Sequence, residues 1–462
     1  MSRADRTRLP ALGETPAFHF PKLHKRRLGN GLRLWSVEQR ALPVVTFLLI
    51  IPVGSAADPC TRHGLTALTG DMLDEGSGGR SAIDINEAVA RIGAQFHTDV
   101  SADATALTLT TLAQFGSQAL SLLGDCVVRP RLDARDFERV RQLRTMRLVQ
   151  LRDLPPAIAD RAFMHLLYGS HPYGHVALGS EAALRDLSLD EVVAFHRAAY
   201  VPTEATLIAV GDISAADLQA MAEAALGGWG PAGAGTASSA RLSEAGQVPL
   251  GAPSLERLAM VHREGAAQSE LRIGHVGVAR DTPDYHALIV LNTILGGQFV
   301  SRVNLKLRQE KGYTYGARTS FDFRRGPGPF QLQTSVQTGV TVDAIREAIG
   351  EMRNIREDWP PTPQELDLAR ATLTRGYARN FETPEQIAYA IAQLVLYGLP
   401  DDYFDQFVAN VHQVDGEAAR AAARTYLDPD RATTVIVGDR DAIQPLLTQE
   451  GFGEPAAVTA NL

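Results

Sequence analysis

The chain repeats one order of hydrophobic patterns in its two halves. The apolar run Val44–Ile51 predicts a buried strand, and apolar residues at helical spacing near Leu65–Leu73 predict a helix after it. The second half has a strand-like run at Leu271–Val278 and a helical pattern at Tyr285–Leu295. Within the first half, Thr105–Thr111 alternates apolar and polar residues, which predicts a strand with one buried and one solvated face.

The ends of the two halves show this repeat most clearly. The first half closes with HRAAYVPTEATLIAVGDIS and the second with AARTYLDPDRATTVIVGDRD. In each, an amphipathic helix ends at a tyrosine, a turn containing proline follows, and a short apolar strand leads to Gly-Asp. The matching positions are Tyr200, Pro202, Gly211 and Asp212 in the first half and Tyr426, Pro429, Gly438 and Asp439 in the second. We expect each aspartate to cap a following helix, and we infer two similar domains.

The segment from Gly228 to Ser254 separates the halves. It is rich in Gly, Ala, Ser and Pro and has no hydrophobic period, which is typical of a linker. We therefore predict a first domain at 1–227, a linker at 228–254 and a second domain at 255–462. Each domain mixes strands with helix pairs, which favours the α+β class, with helices packed on a mostly antiparallel sheet.

Composition excludes several classes of protein. With 45% hydrophobic and 21% charged residues, the chain of 462 residues can build full-sized cores and is neither fibrous nor disordered. Its formal net charge of -8, without a basic block, argues against nucleic-acid binding. The longest apolar run is strand-sized, so no membrane span is predicted. Cys60 and Cys126 form no CxxC pair, which excludes a cysteine zinc site and leaves a single disulfide open.

The segment HGLTALTGDMLDEGSGG resembles the active-site helix of the M16B zinc peptidases. That family carries Gly-Leu-x-His-x-x-Glu-His-Met-Leu there, in which two histidines one helical turn apart grip zinc and the glutamate acts as general base. This chain keeps Gly64-Leu65 and Met72-Leu73, but the three chemical positions hold Ala67, Gly70 and Asp71. The resemblance therefore implies a member of the family that binds no zinc itself.

Other potential ligands do not replace the missing ones. The family's third ligand is a glutamate further along the chain, and the positions near Met146 and Arg147 are not carboxylates. His171 and His175 have ligand-like spacing, but the proline and glycine between them favour a structural turn, which the family also has. We assign His63, just before the degenerate helix, a capping or surface role. The sequence thus predicts no metal site and no cofactor in this chain.

The second half retains a family motif. Its segment LGGQFVSRVNLKLRQEKGYTYGARTSF resembles the M16 signature in which Gly-Gly and Ser-Arg precede Leu-Arg-Glu-Lys-x-Gly-x-x-Tyr. From the residues alone we predict a helix with Val300, Val303 and Leu307 on one face, ended by Gly312. A strand-like run begins after it at Tyr313.

Arg308 and Tyr315 are the candidate site residues of this motif. Helical spacing leaves open whether they meet, whereas the resemblance implies that both face a zinc site across an internal chamber. In the family, the tyrosine hydroxyl donates to the scissile carbonyl oxygen as charge develops there, and the arginine holds backbone carbonyls of the peptide. Arg302 is a second candidate for substrate contact, and Tyr313 competes with Tyr315. The alternative is a solvated helix-end arginine and an ordinary strand aromatic.

The resemblance also implies a partner and a function. M16B enzymes are clamshells of two subunits that enclose unfolded peptides, and in some of them one subunit supplies zinc and base while the other supplies Arg and Tyr. We interpret this chain as the second kind, inactive alone and completing a metallopeptidase with a zinc-bearing homologue. The rivals are a structural or peptide-binding homologue without catalysis, and a self-sufficient hydrolase, for which we find no nucleophile motif.

Localisation follows from the N-terminus and the resemblance together. The first residues lack the apolar core of a signal peptide. Paired bacterial members of the family are often exported, so a signal already removed is compatible with this N-terminus. We expect a soluble bacterial protein, periplasmic if a signal has been removed and cytoplasmic otherwise.

Overall fold

The computed structural model describes residues 18–230, 244–251 and 256–459. The last strand of the first half ends at Gly211, and the first strand of the second half begins at Leu258. Most of the predicted linker lies outside the described residues, so the exact domain boundaries stay a prediction.

The first half forms a sheet of six strands with helices around it. Its strands are β1 (His24–Arg27), β2 (Arg33–Glu38), β3 (Val44–Ile51), the short β4 (Gly76–Ser77) and β5 (Arg80–Ser81), β6 (Gln95–Val100), β7 (Thr105–Leu112) and β8 (Thr206–Gly211). Its helices are α1 (Leu65–Asp71), α2 (Ala82–Arg91), α3 (Gly116–Val128), α4 (Ala134–Leu151), α5 (Pro155–Tyr168), α6 (Glu181–Asp186), α7 (Leu189–Ala199) and α8 (Ala215–Leu226). The strand order is β1-β2-β8-β3-β7-β6, and all pairs are antiparallel except β2 with β8.

The second half repeats this arrangement. Its strands are β9 (Leu258–His262), β10 (Gln268–Val276), β11 (Ala317–Phe321), β12 (Pro329–Gln337), β13 (Thr433–Gly438) and β14 (Ala456–Ala457). Its helices are α9 (Tyr285–Leu295), α10 (Arg302–Asn304) continued by a π-helix (Leu305–Glu310), α11 (Thr341–Asn354), α12 (Pro363–Thr374), α13 (Pro384–Tyr397), α14 (Tyr403–Gln413), α15 (Gly416–Tyr426) and α16 (Arg440–Gln449). The order β11-β12-β10-β13-β9-β14 matches the first sheet apart from the outer strands β1 and β14. The α+β class and the two homologous domains are confirmed.

Several predicted elements have the expected bounds. β3 and α9 match their predicted ranges, and the strand predicted at Leu271–Val278 is β10, which begins three residues earlier. Asp439 caps α16 as predicted, whereas Ser214 caps α8 in place of Asp212, because α8 begins later than the Gly-Asp pattern suggests. Among the described residues, no helix combines the length and apolarity needed to cross a membrane.

The two halves exchange helices across their sheets. From the first half, α5 packs its buried Ala159 and Phe163 against Val435 and Val437 of the second sheet. From the second half, α13 packs on β3 and β8 of the first sheet in a shared apolar cluster. Burial of both sheet faces therefore requires both halves, and the halves interlock.

This exchange overturns one prediction. The alternation at Thr105–Thr111 predicts a solvated polar face, but Thr108 is only 5% exposed and its hydroxyl lies 3.0 Å from the Tyr389 hydroxyl of α13. Periodicity reports which residues share a face of a strand. It does not report that a helix whose Tyr389 lies 281 residues later covers that face.

A buried arginine reinforces the same contact. Arg272 of β10 is 2% exposed, and its guanidinium bonds Asp160 of α5 at 2.6 Å and Glu270 at 2.5 Å. A charge so far from water is tolerated only when it is paired and hydrogen-bonded. Removal of either carboxylate would leave part of that charge uncompensated.

Phe163→Ala should lower the free energy of unfolding by about 3–5 kcal/mol, because it removes a fully buried ring between α5 and the second sheet. Urea-induced unfolding of the purified chain measures the change through the transition midpoint. Leu143→Ala, at a 50% exposed position on α4, is the control and should change stability by less than about 0.5 kcal/mol. A loss no larger than that of the control would contradict the packing described for α5.

Candidate functional site

Helix α1 packs its degenerate positions against the fold. Ala67 is buried, and a Cβ atom at Gly70 would lie 3.2 Å from Val100 Cγ2 and 3.3 Å from Thr98 Cγ2 of β6. Those contacts are tighter than ordinary van der Waals distances, so these methyl groups would have to move by a few tenths of an ångström to admit a side chain. The position of the general base has no side chain and packs closely on β6.

The residue at the place expected for the second histidine forms an ion pair with α4. Asp71 Oδ2 accepts from Arg144 Nη1 of α4 at 2.5 Å, and Arg144 Nη2 donates to the carbonyls of Ala177 and Leu178 at 3.1 and 3.3 Å. Arg144 is 9% exposed, so the pair is fixed within the fold. A guanidinium here repels a metal cation as well as failing to bind one.

The positions near the third ligand of the family lie on the exposed face of α4. Met146 and Arg147 are both exposed, and neither is a carboxylate. The buried stripe of α4 instead contains Phe137, Val140 and Arg144 at helical spacing. An arginine within an apolar stripe is a signal that the sequence does carry.

The residues present do not fit zinc. Within the residues that the structure describes, no group of three or more His, Cys, Asp or Glu side chains is placed to hold a metal ion. His175 Nε2 lies 3.2 Å from Asp58 Oδ2, and its ring stacks on His63 with centroids 4.0 Å apart. Asp58 in turn accepts the amides of Gly64 and Thr66 at 2.6 and 2.7 Å, which fixes the start of α1. Burial lowers the pKa of His63. These histidines stabilise the fold.

The His-Pro-Tyr turn has a structural arrangement as well. Residues Pro172–Gly174 form a single 3-10 turn, in which His171 Nδ1 accepts from the Tyr173 amide at 3.1 Å. His171 Nε2 lies 3.1 Å from the carbonyl of Val248. Both ring nitrogens are thereby used, and the turn holds the segment that follows the first half.

The motif in the second half adopts an unusual backbone. Leu305–Glu310 forms a π-helix, a widened turn that frequently occurs at functional sites. Gly312, with φ of +67°, ends it as predicted. Val303 and Leu307 are fully buried, but Val300 is 43% exposed because the helix begins only at Arg302, so the predicted three-residue face is wrong for Val300.

Tyr315 lies in a turn and not in a strand. β11 begins two residues later, at Ala317, and the Thr314 hydroxyl closes the turn by accepting from the Gly316 amide at 3.0 Å. The Tyr315 side chain is 90% exposed, whereas its competitor Tyr313 packs on the core of the second half. The two tyrosines therefore differ in what they can contact.

The structure brings Arg308 and Tyr315 to one cavity. Both line an open hollow of about 570 Å³, together with Phe299 and residues of β11 and β12. The Arg308 guanidinium lies 4.4 Å from the centre of the Phe299 ring. Among the described residues, neither Arg308 nor the Tyr315 hydroxyl has a hydrogen bond or ion pair. Their donors are thus available to a ligand.

Neighbouring cations in the same segment are all engaged. Lys306 pairs with Glu310 at 2.8 Å and Lys311 with Glu347 at 2.9 Å. Arg302 grips both carboxylate oxygens of Glu365, at 2.6 and 2.7 Å, and also donates to the carbonyl of Pro360. This favours a positioning role for Arg302, which ties α10 to the start of α12, over the substrate contact predicted for it.

Two family models match the chain. Residues 34–176 match the model described as Insulinase (Peptidase family M16), and residues 186–373 match the one described as Peptidase M16 inactive domain. Together they include the degenerate helix and the Arg308 and Tyr315 segment.

Relatives and a solved structure extend this similarity over most of the chain. An uncharacterised zinc protease of Mycobacterium bovis is 25% identical over 91% of this chain and 95% of its own. A probable mitochondrial-processing peptidase subunit beta of Schizosaccharomyces pombe is 23% identical over 60% of this chain and 59% of its own. The crystal structure of a peptidase M16 inactive domain from Pseudomonas fluorescens superposes with a TM-score of 0.78 at 26% identity, and covers 90% of this chain and 98% of that one.

Asp74→Asn should stabilise the chain near neutral pH. Burial, with a smaller contribution from Glu75, raises the pKa of Asp74 from 3.8 to about 6. Because the folded pKa lies above the unfolded value, this carboxyl favours the folded state fully below about pH 4 and loses that effect as pH rises through about 6. Ionisation then costs roughly 2 kcal/mol, with allowance for partial solvent contact.

Differential scanning calorimetry of Asp74→Asn at about pH 7.5 and about pH 4 measures this effect. We expect a higher Tm at the upper pH and no change at the lower one. The exposed Asp153→Asn serves as the control. Equal shifts at both pH values would show that ionisation of Asp74 is not the cause.

Proposed function

This chain belongs to the M16 peptidase family, and we propose that it is the subunit that contributes an arginine and a tyrosine, and no zinc, to a peptidase made of two family members. The observation that carries the proposal is the pair of unengaged donors, Arg308 and Tyr315, in one cavity beside cations that are all paired. Within the described residues, both side chains are free to donate to a substrate, which a catalytic role requires and a scaffold role does not.

Tyr315 is suited to stabilise charge on a reacting carbonyl. A phenol hydroxyl placed at the scissile peptide donates a hydrogen bond to the carbonyl oxygen, and this bond strengthens as negative charge develops there. Because the hydroxyl has no partner among the described residues, it has to exchange only its solvent contacts for the substrate. The turn at Thr314 and Gly316 holds the backbone on both sides of it.

Arg308 is suited to hold the peptide backbone. Its planar, permanently charged guanidinium presents several donors in a fixed geometry, and the Phe299 ring supports one face of it. Backbone carbonyls on either side of the scissile bond can accept these donors. The free side chain would thereby orient the substrate next to Tyr315.

The adjacent sheet edge offers a place for an extended peptide. β11 is the outer strand of the second sheet and follows Tyr315 directly. A peptide that pairs with such an edge is held through main-chain hydrogen bonds, which do not depend on its sequence. Unfolded peptides are therefore the substrate class that this arrangement favours.

The remaining half of the active site would come from a homologue that keeps the His-x-x-Glu-His helix. This chain would not supply it, because Ala67, Gly70 and Asp71 stand at the family's ligand and base positions and Asp71 is paired with Arg144. Phe299 and Val300, at 59% and 43% exposure, form an apolar rim near Tyr315 that a facing subunit would cover. The relative that is a processing-peptidase subunit agrees with a family member working as one part of a larger enzyme.

A non-catalytic homologue is the second candidate. The lost zinc positions favour it, and so does the solved structure of an inactive M16 domain that covers most of this chain. Under this alternative, Arg308 and Tyr315 would be surface residues without influence on any reaction.

Tyr315→Phe distinguishes the two candidates. In a mixture of this chain with a zinc-bearing homologue from the same source, we expect hydrolysis of a long unstructured peptide that neither preparation performs alone. The substitution should lower kcat of the mixture by about 100- to 1000-fold, because it removes one donor to the developing oxyanion. Zinc content, measured on each preparation, should be found in the homologue and not in this chain.

Tyr313→Phe is the matched control, since it makes the same chemical change two residues away in a side chain packed on the core. It should leave kcat within a few-fold of the unmodified mixture. If the mixture is no faster than the homologue alone, or if Tyr315→Phe behaves like Tyr313→Phe, the scaffold candidate is favoured.

A further inference from the structure

A second cavity, of about 460 Å³, lies between α4, α5 and the segment that leads into α6. It shares no lining residue with the Arg308 and Tyr315 cavity. Its polar lining consists mainly of three arginines and three histidines: Arg152, Arg161, Arg185, His63, His165 and His175. Its volume falls in the usual range for small-molecule sites.

Arg161 differs from the other residues that line this cavity, because one of its donors is shielded and has no partner. Its Nη2 is shielded from solvent and has no hydrogen-bond partner, and no ion pair reaches its guanidinium from the described residues. The nearby carboxylate, Glu181, is already bonded to Arg152. Burial lowers the pKa of Arg161, and Glu181 offsets only part of that effect. The Arg161 side chain as a whole is only partly buried, but a shielded donor without a partner is unfavourable unless a ligand or water satisfies it.

The residues around Arg161 indicate which kind of ligand could pair with its charge. His165 follows one helical turn later on α5, so both side chains are on one face of that helix. The stacked rings of His63 and His175 line the same cavity, and imidazole nitrogens can donate to an oxyanion. Leu148 and Val176 contribute apolar surface to the wall of the cavity.

We propose that this cavity binds a single carboxylate carried on an apolar body, such as the C-terminal carboxylate of a peptide that ends in an apolar residue. Arg185 is exposed to solvent, whereas Arg161 is the arginine of this lining that has a shielded nitrogen without a partner among the described residues. Its planar guanidinium matches the two oxygens of one carboxylate. The apolar wall accommodates the rest of the ligand. The site is independent of Arg308 and Tyr315, so its test stands whether or not the chain takes part in catalysis.

Isothermal titration calorimetry on the full chain tests the ligand class. The probes are N-acetylleucine, its uncharged amide, the peptide acetyl-Ala-Ala-Leu with a free C-terminus, and inorganic phosphate. At least one of the two carboxylates should bind with a Kd of about 1 mM or tighter. The amide should bind at least about 10-fold more weakly, since it lacks the charge that pairs with Arg161.

The two carboxylate probes separate the sources of the ligand. Binding of N-acetylleucine as tight as that of the peptide assigns the site to small carboxylates, and clearly tighter binding of the peptide assigns it to peptide C-termini. Inorganic phosphate, which has no apolar body, should bind more weakly than either. Phosphate binding as tight as the better carboxylate, or amide binding as tight as its acid, overturns the proposal.

Arg161→Gln locates the site. It should weaken carboxylate binding by about 10- to 100-fold through loss of a charged hydrogen-bond donor. The same variant should raise the Tm of the ligand-free chain, because it removes an uncompensated charge, whereas loss of a purely structural contact would lower Tm. Arg135→Gln, at an exposed position on α4, is the control and should change neither quantity.

His165→Gln provides a second measurement in case Arg161→Gln folds poorly. It keeps a polar side chain on the same face of α5 and should weaken carboxylate binding without abolishing it. Carboxylate affinity that is unchanged in both variants rules out this cavity as the site.

Discussion

Packing of each sheet against a helix from the opposite half is the contact on which the rest of this structure depends. Without α5, the second sheet would expose the strand face that contains Val435 and Val437, and without α13 the first sheet would expose that of β3 and β8. Polar contacts reinforce the joint: the amide of Gly326 donates to the Tyr173 hydroxyl at 3.0 Å, and the Tyr168 hydroxyl donates to the carbonyl of Pro327 at 2.9 Å. Because the halves interlock, the cavities of both halves keep fixed positions relative to each other.

Pairing of charges separates structural cations from those available to ligands. Arg144, Arg272 and Arg302 are buried or partly buried, and each is paired with a carboxylate and bonded to carbonyls. Arg308 and Arg161 have no such partner among the described residues, although paired residues surround both. Both proposed sites therefore rest on a cation that no carboxylate of the described chain compensates.

The two halves have diverged at equivalent places. In both, the edge strand β6 or β11 follows a helical segment after the central strand β3 or β10. In the first half, Gly70 packs closely on β6 and Asp71 is paired with Arg144. In the second half, Arg308 of the π-helix and Tyr315 of the turn line an open cavity beside β11. One topology thus carries a packed, ion-paired position in one half and an open cavity in the other.

The sequence by itself determined the repeat, the bounds of β3 and α9, the α+β class and the absence of zinc ligands in α1, because hydrophobic period, turn residues and ligand types are local properties. Only the tertiary structure decided that Thr108 is buried, that Arg144 pairs with Asp71 of α1, and that Arg308 and Tyr315 line one cavity. Each of these depends on which element covers a given face. A local pattern defines the face but not its neighbour, since the neighbour comes from a distant part of the chain or from a turn whose geometry is set by packing.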